Sequence, residues 1–214
     1  MRAYELAAVV LGMVTLSPTA RSQEAGAPID VTVYVTGASL LSSSENQAAK
    51  TTVSGMFARV GVHITWLEGK PKDGEPAATP AAIFVRFVRQ PMSIHSSGAL
   101  AYASPFAEGV KTITVLYDRI RLVAGGPKRE PRTLAHVLAH ELGHVLQGTN
   151  RHAPTGVMKA TWDGQDYEAM EKEPLEFTST DVDLIREGLN RPMVRAGDRA
   201  DGGSHSSGRK TLLN

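Results

Sequence analysis

Two histidines four residues apart, in His140-Glu141-Leu142-Gly143-His144, constrain this chain more than any other feature. They lie in a stretch whose apolar residues Leu134, Val137, Leu138, Leu142 and Val145 recur at helical spacing and form one buried side. On a helix, residues four apart share a face, with β-carbons about 5–6 Å apart. Two imidazoles so placed can bind one zinc ion, at Zn–N distances of about 2.0–2.1 Å. Glu141, one position on from His140, reaches the same ion only through an intervening water. That is the arrangement of a general base acting on a metal-bound water. The competing reading is a solvated helix face with two incidental histidines, and the apolar side of the helix speaks against it.

Catalytic zinc takes three protein ligands plus water, so two histidines leave the ion under-coordinated. The third ligand has to come from beyond the helix, after the chain turns. Gly148 supplies the turn, because glycine adopts the left-handed conformation without strain. His152 follows four residues later, and a return loop of that length can bring its ring back to the helix face. His140, His144 and His152 are the expected Zn²⁺ ligands, with Glu141 as the catalytic base.

Composition closes off other chemistries. The 214 residues hold 23 basic and 22 acidic side chains, a balance that gives no electrostatic reason for a nucleic-acid partner or an anionic membrane surface. The absence of cysteine excludes disulfide scaffolds, thiolate zinc sites and cysteine nucleophiles. Residues 1–22 read as a secretory signal: Arg2 near the start, an apolar run over 6–16, and Ala20-Arg21-Ser22 before a cut. The run of about 11 residues is too short to span a bilayer, which takes roughly 20. A secreted or periplasmic monomer, without stable membrane insertion, is expected. The catalytic domain covers 23–191, and the Gly/Ser/Asp/Arg-rich 192–214 is expected to be a disordered tail.

Along the mature chain, 29–35 (IDVTVYV), 62–67 (VHITWL), 82–88 and 111–117 read as strands. The short segment 99–104, bounded by Gly98 and Pro105, reads as an edge strand. A helix is expected over 42–60, with Ala48, Ala49, Val53, Met56 and Phe57 on one stripe. The motif helix spans 132–147, a short helical turn lies around 167–172, and a final helix over 181–189 opens at Thr178-Ser179-Thr180-Asp181. The fold class is α+β: one mixed, mostly parallel five-stranded sheet with a packed helix, then the motif helix and a small irregular C-terminal part ending in a helix.

The stretch from His140 to Met158 resembles the active site of the metzincin zinc proteases, most closely the matrixin branch. Their pattern is HExxHxxGxxH followed by a methionine-containing turn beneath the metal. Gln147 stands where that pattern has glycine, and Gly148 follows one residue late. Asn150 stands where the third histidine belongs, and His152 comes two residues late, so Asn150 is the competing third ligand. Its neutral amide is a poor zinc donor beside imidazole. Met158, in Thr155-Gly156-Val157-Met158, keeps the matrixin spacing from His140. The resemblance implies that Met158 forms the apolar floor under the ligating rings. It also implies that Ala99, Leu100, Ala101, Tyr102 and Ala103 bind an extended peptide as a substrate edge strand.

The function these features imply is zinc-dependent endopeptidase activity on a peptide or protein substrate. The alternative is a zinc-binding, non-proteolytic binding or structural domain on the same scaffold. His136 faces the same side as His140; the ladder His136, His140, His144 admits a second metal or a supporting role, and His136 reads more simply as a partly exposed or hydrogen-bonded histidine near the cleft. Glu168, Glu171, Glu173 and Glu176 read as a charged surface segment, and the cleft walls are expected within 161–177.

Overall fold

A computed structural model describes residues 27–71, 82–89, 98–103 and 111–191. The expected signal segment 1–22, most of the expected loop 69–80, Ser104 at the end of the expected edge strand, His95 and the expected tail 192–214 lie outside the described residues.

Among the described residues five strands form one sheet, in the order β2-β1-β3-β5-β4. Strands β1 (Ile29–Thr36), β2 (Val62–Glu68), β3 (Ile83–Val88) and β5 (Lys111–Leu116) run parallel, and β4 (Ala101–Ala103) is the antiparallel edge. Period-two alternation sends Val31, Val33 and Val35, Val62 and Ile64, Ile83, Val85 and Phe87, and Ile113 and Val115 to one face, where all are buried. The registers Val31↔Ile64, Val33↔Ile83, Val85↔Ile113 and Ala101↔Val115 place them side by side. A shift of one residue would turn the whole set outward, so burial fixes the register.

Two helices cover that face. Helix α1 (Ser43–Ala58) starts at an N-cap where Ser42 accepts from the Glu45 N–H, and it buries Ala49, Val53, Met56 and Phe57. Ala48, expected on the same stripe, is exposed. The motif helix α3 (Glu130–Gln147) lies beside α1 and packs on β4, β5 and the last helix. Leu134, Val137, Leu138, Leu142 and Val145 are all buried, as their spacing requires.

Several boundaries differ from the sequence reading. The fifth strand stops at Leu116, and Tyr117 opens an eight-residue helix, α2 (Tyr117–Ala124). There the Tyr117 hydroxyl donates to both carboxylate oxygens of the buried Glu45, at 2.8 and 2.9 Å. That tertiary bond anchors α2 where the β-forming run KTITVLY continues through residue 117. Helix α3 begins two residues early, with Pro131 in its first turn, where a missing N–H costs nothing. The expected turn at 167–172 is a full helix, α4 (Gly164–Lys172), because Asp163 and Asp166 complete a capping box. Helix α5 (Ser179–Asn190) closes the described chain, and its cap is Thr178, paired with Asp181.

Candidate metal centre

Helix α3 carries His140, Glu141 and His144 to the edge of the sheet beside β4. Gly148, at φ +66°, ends the helix, with its N–H donating to the His144 carbonyl at 2.9 Å. The chain then folds back under α3. Ala153 N–H donates to Met158 O at 2.8 Å, and Val157 N–H donates to Glu176 O at 3.0 Å. This return loop delivers His152. One potential ligand atom from each of His140, His144 and His152 lies within 4.8 Å of the other two, and among the described residues this is the group suited to a metal ion. The His152 ring stands 5.3 Å from that of His140 and 4.9 Å from that of His144, centroid to centroid. His152 therefore meets the helix pair from two residues beyond Asn150, which is exposed.

The chemistry of the pair fits a cation. His140 Nδ1 lies 2.9 Å from the Val157 carbonyl and His144 Nδ1 lies 3.0 Å from the Thr149 carbonyl. A carbonyl only accepts, so each Nδ1 carries a proton and donates. Burial pushes both imidazoles below their usual pKa, His144 down to about 4, with the neighbouring His140 adding to the effect there. Both rings are thus neutral at pH 7, with unprotonated Nε2 atoms. Those two Nε2 atoms face each other at 3.0 Å. Two lone pairs so close repel unless a cation lies between them. Tetrahedral zinc at about 2.0–2.1 Å from each nitrogen sets its ligands roughly 3.3 Å apart, close to what these rings adopt. The carbonyls behind the rings are the outer partners that metal-binding histidines use to fix tautomer and orientation.

Glu141 is 8% exposed, and burial pushes its carboxyl up to about 7, opposed by a hydrogen bond from the Ala103 N–H. That bond follows from the pleat of β4. Leu116 N–H donates to Leu100 O at 2.9 Å, so Leu100 and, by alternation, Tyr102 pair toward β5. Ala101 and Ala103 then turn their backbone groups outward, and Ala103 meets Glu141. Within the described residues the edge strand starts later than expected: Ala99 and Leu100 lead into it and Ala101–Ala103 form it.

Met158 is fully buried beneath α3, next to Gly143. A cavity of about 500 Å³ opens beside the three histidines and Glu141, walled by Leu100, Val123, Val137, Trp162 and Tyr167. Trp162 stands edge-on to His140, with centroids 5.7 Å apart. The wall from 161–177 was expected as a region, and Trp162 is its anchor. Val123 was not foreseen, because α2 was not.

In fold, the chain is similar to archaemetzincin from Methanopyrus kandleri. That crystal structure superposes with a TM-score of 0.50 at 15% identity, covering 78% of this chain and 98% of the other. No family model matches the sequence, and no curated protein matches it.

The remaining candidates separate from the centre. His136 is fully buried. Its Nδ1 donates to Arg132 O at 2.7 Å and its Nε2 accepts from the Leu175 N–H at 3.0 Å, which occupies both nitrogens. His63 pairs with Asp30 on the exposed far edge of the sheet. Glu171 pairs with Arg129 and Glu176 with Arg59.

One contact of the return loop was not legible in the sequence. Arg151 donates from Nη1 to Asp181 Oδ1 at 2.9 Å, and Asp181 is fully buried. The capping pattern marked Asp181, but nothing local marks a partner thirty residues away.

Proposed function

We propose that the chain is a zinc-dependent endopeptidase. One observation carries the reading: three imidazoles converge beside a buried carboxyl at the mouth of an open cleft. His140, His144 and His152 would hold the ion. Zinc bound by three histidines supplies a Lewis acid and lowers the pKa of a coordinated water toward about 7. An all-imidazole set also accommodates copper, iron or nickel. Zinc is favoured by the His140 and His144 Nε2 atoms, whose 3.0 Å separation is close to that of two ligands on tetrahedral zinc.

Glu141 is suited to accept a proton from the attacking water and to return it to the leaving amine, since its carboxyl titrates near neutrality. The outward N–H and C=O of Ala101 offer an extended peptide the backbone pairing of a free sheet edge. Such pairing lays the scissile bond along the cleft, where Trp162, Val137 and Val123 take up apolar side chains. A purely structural metal gives no account of Glu141, because a structural site closes its fourth position with a ligand.

Cleavage of casein by the purified chain, with and without a chelator, tests the activity. In Glu141→Gln, zinc content stays at one per chain while turnover falls by roughly 10²–10⁴-fold. Turnover at the wild-type rate in that variant overturns the proposal.

A further inference from the structure

The three ligand candidates are not held alike. His140 and His144 are fixed from behind, each by a carbonyl on its Nδ1. His152 is exposed, its ring stands beside the other two, and among the described residues no hydrogen bond holds it from behind. A metal-binding histidine nearly always has an outer hydrogen-bond partner that sets its ring. Here the placement has to come from the backbone on either side. After His152, Ala153 is tied to Met158 O. Before it, the Arg151 N–H donates to Thr149 Oγ1 at 3.2 Å, and the Arg151 guanidinium reaches across to Asp181.

Asp181 divides its two oxygens. Oδ2 completes the cap of α5, accepting from Thr178 N–H at 3.0 Å and from the Thr178 hydroxyl at 2.6 Å. Oδ1 accepts from Arg151. A cap alone needs neither the burial nor the second oxygen. A fully buried carboxylate requires a compensating charge, and Arg151, whose own side chain is 37% exposed, supplies it. The pair joins the first turn of α5 to the residue before the third ligand.

We infer that the Arg151–Asp181 ion pair is a positioning device for His152, holding the return loop so that the third ring meets the other two. The inference rests on the metal reading above, and the test separates the two. Zinc dissociation constants are measured on the full chain by competition with a chromophoric chelator, for wild type, Arg151→Gln, Arg151→Lys, Asp181→Asn and the double variant Arg151→Gln/Asp181→Asn. Melting of each chelator-treated protein is followed alongside.

Arg151→Gln and Asp181→Asn are each expected to weaken zinc binding by about 10–100-fold. The double variant is expected to lose no more than the worse single one, because both remove the same contact. Arg151→Lys keeps a charge able to reach Oδ1 and recovers part of the loss. If Arg151→Gln lowers the melting temperature of the zinc-free protein yet binds zinc within twofold of wild type, the pair serves only the fold and the inference is overturned. Equal weakness in Arg151→Lys and Arg151→Gln overturns it as well. A wild-type chain that binds no zinc overturns the metal reading, and this inference falls with it.

Discussion

Gly143 lies between the two helix histidines, and a β-carbon built there would stand 2.5 Å from Met158 Sδ, 3.2 Å from its Cε and 3.3 Å from Phe177 Cε1. Met158 is completely buried and Phe177 nearly so, so the methionine can yield only by shifting its thioether end within the core. Two effects oppose each other in Gly143→Ala. Replacing glycine inside a helix gains about 0.8–1.0 kcal/mol of intrinsic propensity, while overpacking a filled core costs typically about 1–3 kcal/mol. The contact is close enough for the second to win, so urea denaturation should give a lower midpoint with an unchanged slope. A midpoint above wild type would show that Met158 moves aside freely and is not packed tightly against Gly143.

At the scale of elements, α3 is tied to the chain beneath it through His136, which spans from Arg132 O to the N–H of Leu175. Burial, aided by the Arg132 charge nearby, holds the His136 pKa below its ordinary 6.5. The unfolded chain therefore takes up this proton first as pH falls. The stability His136 contributes is whole above pH 6.5 and is lost progressively as pH drops from there toward the depressed value. In zinc-free protein, His136→Gln should be less stable at pH 7.5 and should lose less on going to pH 5.5 than wild type does. His140 and His144 titrate in the same direction in both proteins, so the difference between the two curves isolates His136. Parallel curves would mean that His136 is not buried neutral.

The same scale shows what the sequence could and could not reveal. Strands β1, β2 and β3, and helices α1, α3 and α5, each bury a face whose period is written locally, in IDVTVYV or in the spacing from Leu134 to Val145. His140, Glu141 and His144 were legible because one helix carries all three. His152 was legible because Gly148 is a local turn signal with a countable loop after it. Helix α2 was hidden because Tyr117 is strand-forming by propensity, and a bond to Glu45, 72 residues away, overrides that propensity. The pairing of Arg151 with Asp181 was hidden for the same reason: it depends on how α5 returns to α3, which no local pattern encodes.

Over the whole molecule, stability divides unevenly. The sheet, α1 and most of α3 share one continuous apolar core. Beyond Gly148 the chain joins that core through the buried Ala153, Val157, Met158, Phe177 and Ile185, a few hydrogen bonds and the three-histidine centre. With no cysteine in the sequence, no disulfide can brace this part. A metal that binds only the folded state adds about 2.7 kcal/mol when its free concentration is a hundredfold above its dissociation constant. In a chain of this size, 1 kcal/mol moves the melting temperature by about 2–4 °C, so removing the metal should lower it by roughly 5–11 °C. The loss should not be spread evenly. An ion held by the three histidines would join α3 to the return loop, so hydrogen exchange after chelation should quicken first at the Ala153 and Val157 amides, which bond to Met158 O and Glu176 O. Amides of β1 and β3, interior to the sheet, should keep their protection. Uniform quickening across β1 and the return loop would mean that the centre and the core open as one unit, and that the metal braces the whole fold instead of its lower half.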